Sequence, residues 1–299
     1  MDGIKTAVVY ISSDLYSTLA CTSIYSLCAN NQDEKFDIYL VSMGISVENR
    51  EKIESVTKDF HKSIFFIDGT EIKGQIITLK LPPYFGSYNI YVRPMVTEII
   101  DKKYDVMIYM DCDTIINRSL NMLIKKTFDL PDNKVVIMAR NSDNGRVKKI
   151  NGMNENDIAV NPGVMFINCL NWKNKNCTER ILNYFKTHDI SQYKTLDEPV
   201  YGNVLKGHIE AAEFHEIYYP CFGDFSGKQL LFMFGLDEKN YYSVEEIEQA
   251  KGNEVVLHYV NILGHPWEPD CKAPLSDIWT NYYELTPWGG ANELASTSC

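Results

Sequence analysis

Short, nearly unbroken apolar runs recur along the first third of the chain, separated by longer stretches of mixed character. Residues 5–12, 36–42 and 63–68 ("FDIYLVS" and "SIFFID" among them) read as strands. Unbroken rather than alternating apolar runs are expected where both faces of a sheet are covered. Between them, residues 17–30 place Leu19, Ile24 and Leu27 among small residues, and residues 46–60 open with Ser46 as a helix N-cap. The resulting βαβαβ alternation predicts parallel strands, right-handed crossovers and a nucleotide-binding type of α/β sheet.

The pattern then changes. Residues 69–90, with "LPPYFGSYN", read as loop, followed by a helix at about 91–102 and strands at 105–110 and 134–140. Residues 141–160 are polar and rich in Gly and Asn, long enough for a lid or binding loop. A strand is predicted at 163–169, helices at 171–188, 196–207 and 243–252, and a late strand at 254–260. The helix at 196–207 stops at Gly207, and that at 243–252 opens on a Ser243–Glu246 capping box. No internal repeat or low-complexity segment interrupts this order.

The chain has 299 residues, 45% of them hydrophobic, enough for one large domain or a domain with a small appendage. The division predicted is one main domain over 1–270 and an extension or tail over 271–299. A net charge of −11 without basic runs argues against nucleic acid as a partner. No run of apolar residues reaches the length of a membrane span, and the opening "MDGIKTAVVYISSD" lacks the basic and long apolar regions of a secretory signal. The eight cysteines form no C-x-x-C pair, which reads as a cytoplasmic chain with free thiols.

Candidate chemistry begins at "DVMIYMDCDTIINRSL", where an apolar strand runs into Asp111 and Asp113. Two neighbouring carboxylates repel, and burial adds to the cost, so a proton, a cation partner or a metal is expected to offset it. Strand carboxyl ends are where open α/β sheets bind ligands. Paired oxygen donors suit Mn2+ or Mg2+. A haloacid-dehalogenase-like phosphatase also ends a strand in D-x-D, but its fifth position is here Ile115, and "GDFSGK" lacks the later Asp of its further motif. Downstream, "LHYVNILGHPW" sets His258 after a short apolar strand, and an imidazole beside two carboxylates favours Mn2+ over Ca2+.

Four blocks in order, "AVVYISSDLYSTLACTSIYSL", "YVRPMVTEIIDKKYDVMIYMDCDTIINRSL", "NPGVMFINCLNW" and "HYVNILGHPW", span residues 7–267. Together they resemble glycosyltransferase family 8, which takes in glycogenin and bacterial lipopolysaccharide galactosyl- and glucosyltransferases. The resemblance implies a single Rossmann-like A-type fold with a mostly parallel sheet. It implies transfer of a hexose from a UDP-sugar to a hydroxyl of a glycan or glycolipid acceptor, with Mn2+ and retention of configuration. Asp111, Asp113 and His258 fall on the family's metal ligands, and Arg93 on an arginine that reaches the donor. Asn161 and Gly163 fall on a segment near the sugar, and Ile11, Tyr16 and Cys112 on further donor contacts. Cys112 is also expected to pack toward the sheet. Asp197 and Glu198, in "LDEP", fall on the catalytic segment: Asp197 to bind donor-sugar hydroxyls, Glu198 to act as nucleophile or to stabilise an oxocarbenium-like transition state.

Three positions depart from the family pattern. The closing block is one residue longer, with His265 in place of a phosphate-binding Lys. Ser13 replaces an Asp expected at the uracil ring, for which Asp14 could substitute, and Asn141 stands where an Asp lies near the sugar. The basic, aromatic tail that docks some relatives to membranes is absent from this stretch, leaving peripheral contact with the inner membrane face as the expected limit. A non-catalytic nucleotide- or glycan-binding member of the same fold is the alternative that the His265 exchange keeps open.

Overall fold

A computed structural model of the chain describes residues 3–81, 89–100, 103–195, 197–260, 264–269 and 271–289. The main strands are β1 (Thr6–Ser12), β2 (Phe36–Ser42), β3 (Ile64–Asp68) and β4 (Val106–Met110). Short β5 (Thr114–Ile116) follows, then β6 (Val136–Arg140), β7 (Val160–Asn168), β8 (Ile209–Ala211), β9 (Ile217–Tyr218) and β10 (Val256–His258). The larger sheet has the order β3-β2-β1-β4-β7-β6-β8. Its β1, β2, β3 and β4 pair in parallel, and only β7 runs against its neighbours. A small sheet, β5-β10-β9, stands beside it.

The unbroken apolar runs have the physical reason expected of them. Alternate residues of β1, β4 and β7 face opposite cores: Val8, Tyr10, Ile108 and Phe166 enter one, Val9, Met107, Tyr109 and Met165 the other, whereas the edge strand β3 is only partly covered. On the first side lies α1 (Ser17–Asn30), whose Leu19, Ala20, Ile24 and Leu27 are buried, together with α2 (Val47–Asp59). On the second side α3 (Gly69–Thr78) and α4 (Asn89–Ile99) cover the sheet.

The chain builds β1, β2 and β3 outward in one direction, then returns to place β4 on the other side of β1. Strand order reverses between β1 and β4, and their carboxyl ends diverge there. That is the crevice where doubly wound sheets bind ligands.

Several elements differ from the sequence reading. Residues 69–78, read as loop, form α3, because Asp68 accepts from Thr70 N and Ile72 and Ile76 reach the core. The helix expected over 171–188 is two, Cys169–Asn174 and Cys177–Thr187, because Asn176 takes a left-handed conformation (φ 50°). The 141–160 stretch contains a short helix, Gly145–Ile150, capped by Asn144. Much of "LPPYFGSYN", the last two residues of the helix at 91–102, and residues 290–299 lie outside the described residues.

Residues 271–289 pack on the first core through a helix, Ser276–Glu284. Its Trp279 is fully buried, and Tyr282 Oη accepts from Asn30 Nδ2 at 2.6 Å. No helix among the described residues is long and apolar enough to cross a membrane.

Candidate active site

The reversal point opens into a cleft of about 520 Å3, lined among others by Ser13, Tyr16, Arg93, Asp111, Asp113 and His265. Ile11 and Cys112 also line it. The Cys112 thiol is turned to Ile11 O at 3.3 Å, so this residue packs across to β1 as its position between two aspartates predicts.

Two strand pairings assemble the acidic centre. The β4–β7 pairing ends with Asp111 N donating to Gly163 O at 2.7 Å. The β10–β5 pairing lays His258 opposite Thr114, and Tyr259 N donates to Asp113 O at 2.9 Å. His258 and the aspartates, far apart in sequence, thereby become neighbours. Thr114 Oγ1 also donates to Asp111 O at 2.8 Å and meets Ser23 of α1 at 2.9 Å, fixing the turn between the two carboxylates.

One donor atom from each of Asp111, Asp113 and His258 lies within 4.8 Å of the others. His258 Nε2 stands 3.3 Å from Asp113 Oδ1, inside ion-pair range but off the line of a hydrogen bond. Asp113 Oδ1 is accordingly buried without a hydrogen-bond partner among the described residues. Burial works against the Asp113 carboxylate, yet His258 holds its pKa below the ordinary value.

Arg93, from α4, is shared between two carboxylates. Its Nη1 meets Asp197 Oδ2 at 2.5 Å, and its Nη2 meets Asp111 Oδ1 at 3.1 Å. Tyr109 Oη donates to the same Asp111 oxygen at 2.5 Å. Burial raises the Asp197 pKa, and Arg93, divided between two acids, does not cancel the effect.

Glu198 opens the helix Glu198–Val204, and its oxygens accept from Asn141 Nδ2 at 2.5 Å and Asn161 Nδ2 at 2.9 Å. Burial first, then the charges of Asp197 and Asp143, push its pKa up to about 8.

The segment Asn161-Pro162-Gly163 owes its shape to an irregularity. Pairing between β6 and β7 slips after Met138, so that Ala139 faces Asn161 while Met138 faces Met165. Pro162, which has no N–H for the ladder, sits within the slip. The slip lets the Asn161 side chain bridge Gly163 N and Glu198. Gly163 then lies against the acidic triad. A methyl there would stand 2.6 Å from Asp111 Oδ2 and closer still to His258 Cε1.

Asp14 does not line the cleft. Its Oδ1 accepts from Ser46 N at 2.7 Å and Asn49 Nδ2 at 2.8 Å, tying the end of β1 to the start of α2. These bonds, the backbone one foremost, hold its pKa below the ordinary value. It is thus occupied at the α2 N-terminus, and Ser13 is the one of the pair that faces the cleft. His265 does line it, but its ring stacks on Trp267, and both its backbone N–H and its Nδ1 meet Glu268, at 2.9 and 3.1 Å. Asn141, Asn161, Gly163, Asp197, Glu198 and His258 lie behind the lining, around the acidic centre. Sequence reasoning did not single out Tyr109 or Glu268. Tyr109 carries no local signal, being one more apolar-run residue until its hydroxyl meets Asp111.

The model of the family described as "Glycosyl transferase family 8" matches residues 7–271. The chain belongs to glycosyltransferase family 8. Among curated relatives of this family member, the lipopolysaccharide 1,2-glucosyltransferase of Escherichia coli is 24% identical over 279 residues, covering 91% of this chain and 76% of that protein. General stress protein A of Bacillus subtilis (strain 168) is 22% identical over 287 residues, 94% of each chain. Among solved structures, the galactosyltransferase LgtC in complex with donor and acceptor sugar analogues superposes with a TM-score of 0.69 at 19% identity, covering 94% of this chain and 96% of that one. The bifunctional glycosyltransferase WbbM gives 0.75 at 18% identity, covering 97% of this chain and 51% of its own. These likenesses establish the A-type glycosyltransferase fold. The phosphatase alternative falls with the family match.

Proposed function

We propose that this family 8 member is a retaining, metal-dependent hexosyltransferase. It moves a hexose from a UDP-sugar to a hydroxyl of a glycan or glycolipid acceptor of the lipopolysaccharide or capsule type. The observation that carries this reading is the triad Asp111, Asp113 and His258 at the crevice, with the buried Asp113 Oδ1 beside His258 but without a hydrogen-bond donor among the described residues. Charge supports it. Three aspartates, Asp111, Asp113 and Asp197, gather around one guanidinium and one imidazole beside Glu198, and a divalent cation would relieve the excess and favour the ionised form of Glu198. Two oxygens and one imidazole nitrogen fit Mn2+, with Mg2+ the second choice. When bound, the cation supplies Lewis-acid neutralisation of a diphosphate leaving group.

The protein's own groups divide the remaining work. Ile11, Ser13, Tyr16 and Cys112, at the ends of β1 and β4, form the side of the cleft suited to a nucleoside. Arg93 locks Asp111 and Asp197 into one array. Asp197 would accept hydrogen bonds from sugar hydroxyls. Glu198, its two oxygens fixed by Asn141 and Asn161, would stabilise positive charge developing at the anomeric carbon or attack it. His265, tied to Glu268, is a weaker phosphate partner than the Lys it replaces. That contact is the one observation favouring a binding protein without turnover. A cytoplasmic setting, peripheral to the inner membrane face, is part of the same proposal.

The test is UDP release from a panel of UDP-hexoses, with and without Mn2+, and product mass for any that turn over. Metal-stimulated transfer that Asp113→Ala abolishes is expected. Full activity without metal, or in Asp113→Ala, would refute the reading. UDP binding with no hydrolysis or transfer from any donor would favour the binding-protein alternative.

A further inference from the structure

The 141–160 segment, expected as a lid or binding loop, is fastened by a residue that no motif marks. Asn151 is fully buried (0% exposed), and both polar atoms of its side chain are hydrogen-bonded. Its Nδ2 donates to Asp143 Oδ2 at 3.0 Å and to Thr195 Oγ1 at 3.2 Å, while its Oδ1 accepts from Lys194 N at 2.9 Å. Its carbonyl accepts from Asn203 Nδ2 at 3.2 Å, and its N–H donates to Val147 O at 2.9 Å. A buried amide satisfied on every side holds one geometry, because any movement leaves a desolvated group unpaired.

Both of its side-chain branches lead to Glu198. On one side, the Thr195 hydroxyl accepts from Asn151, and Glu198 N donates to Thr195 O at 3.1 Å. On the other, Asp143 lies two residues from Asn141, whose amide donates to Glu198 Oε2. Asp143 is itself buried, and Asn151 is the side-chain donor that offsets the resulting cost to its carboxylate. Asn151 does not line the cleft.

We infer that Asn151 is a positioning residue for the transfer reaction, locking Lys194 and Thr195 to the 141–143 segment that follows β6, so that Glu198 stays between Asn141 and Asn161. The inference rests on the proposed transferase reading and concerns geometry at Glu198 rather than nucleotide affinity. Misplacement of a reacting group by about 1 Å is enough to cost roughly a hundredfold in rate, so a loosened turn acts mainly on kcat.

The experiment compares Asn151→Ala with Asn171→Ala, a buried amide elsewhere that donates to Lys134 O at 2.8 Å. Asn151→Ala is expected to lower kcat by roughly tenfold or more, with KM for the donor and the Kd for UDP changed less than about twofold. Asn171→Ala should leave kcat alone at a similar loss of Tm. In a Glu198→Gln background, Asn151→Ala should cause little further loss of kcat, because both changes act at the same carboxyl. Unchanged kcat, an equal loss in Asn171→Ala, or full additivity would each overturn the inference. Should Asn151→Ala fail to fold, Thr195→Val removes a single bond of the relay and is expected to show the same kcat-selective loss, with no effect again overturning it. A crystal structure of either folded variant separates this inference from the transferase reading. A displaced Glu198 side chain supports positioning even if no donor turns over, and an unmoved one refutes it.

Discussion

Gly163→Ala tests the acidic centre by adding one methyl group. Gly163 does not have a positive φ, so an alanine backbone is unstrained there and the whole effect is steric. The new Cβ would lie 2.6 Å from Asp111 Oδ2 and 2.9 Å from Asn161 Oδ1, and closer still to His258 Cε1. Non-bonded carbon contacts settle near 3.5–4.0 Å, so Asp111 and His258 must each retreat by roughly 1 Å. Neither is free to do so. Asp111 is held by Tyr109 and Arg93, and the His258 ring is packed against Tyr219 at 5.7 Å between centroids. Overpacking of this kind costs about 1–3 kcal/mol, a fall of several degrees at most in Tm. Its effect on metal binding should be larger than that on folding, because two of three donors are displaced. Calorimetric titration with Mn2+ in the presence of UDP should show affinity lowered by roughly tenfold or more, and UDP release by roughly a hundredfold. A Gly163→Ala protein with wild-type Mn2+ affinity and turnover would refute both the triad and the steric reasoning.

Four further predictions follow from three residues. If Glu198 acts as a carboxylate with its pKa pushed up to about 8, kcat should rise roughly tenfold per pH unit up to that pH and then level. A flat profile from pH 6 to 8, or the same slope in Glu198→Gln, would contradict this. The same raised pKa gives the stability sign: the contribution of protonated Glu198 is whole below its unfolded value and is lost as pH rises through about 8. A denaturant series comparing wild type with Glu198→Gln should show the gap in ΔG change across that window. Asp14→Ala, which removes two bonds at the start of α2, should cost about 1 kcal/mol in denaturant unfolding and leave the Kd for UDP unchanged; weaker UDP binding at full stability would reassign Asp14 to the nucleotide. Trp279→Ala should cost about 3–5 kcal/mol, seen as a large drop in the denaturation midpoint, because the helix Ser276–Glu284 shares the main core; near-wild-type unfolding would make it a separable extension.

Much of the architecture could be read locally. Strands β1, β2, β4 and β7 are legible because a strand buried on both faces must be apolar throughout, and the chain records this in consecutive residues. The first βαβαβ unit and the position of Asp111 and Asp113 at a strand end follow from the same pattern. The order of the family motifs pointed to His258 as their companion. By contrast, β5, β8 and β9 are only two or three residues long and exist because a neighbouring strand supplies their hydrogen bonds, a condition no local pattern encodes. The break at Asn176 and the helix at 69–78 likewise depend on backbone geometry and burial supplied by distant segments.

At the site, sequence determined which chemical groups were available, and tertiary structure decided how each is engaged. Asp14 and Ser13 are adjacent, yet one is bound to the start of α2 and the other faces the cleft. Arg93 shows no carboxylate partner in sequence, and only the end of β4 and the start of the helix Glu198–Val204, brought together beside it, make it the shared partner of Asp111 and Asp197. Asn151 has no motif at all and becomes a four-way junction once three segments converge on it. The physical reason is common to all of these. Residue type and spacing fix charge and hydrogen-bonding capacity, whereas partner, burial and therefore protonation are properties of contacts between segments far apart in the chain.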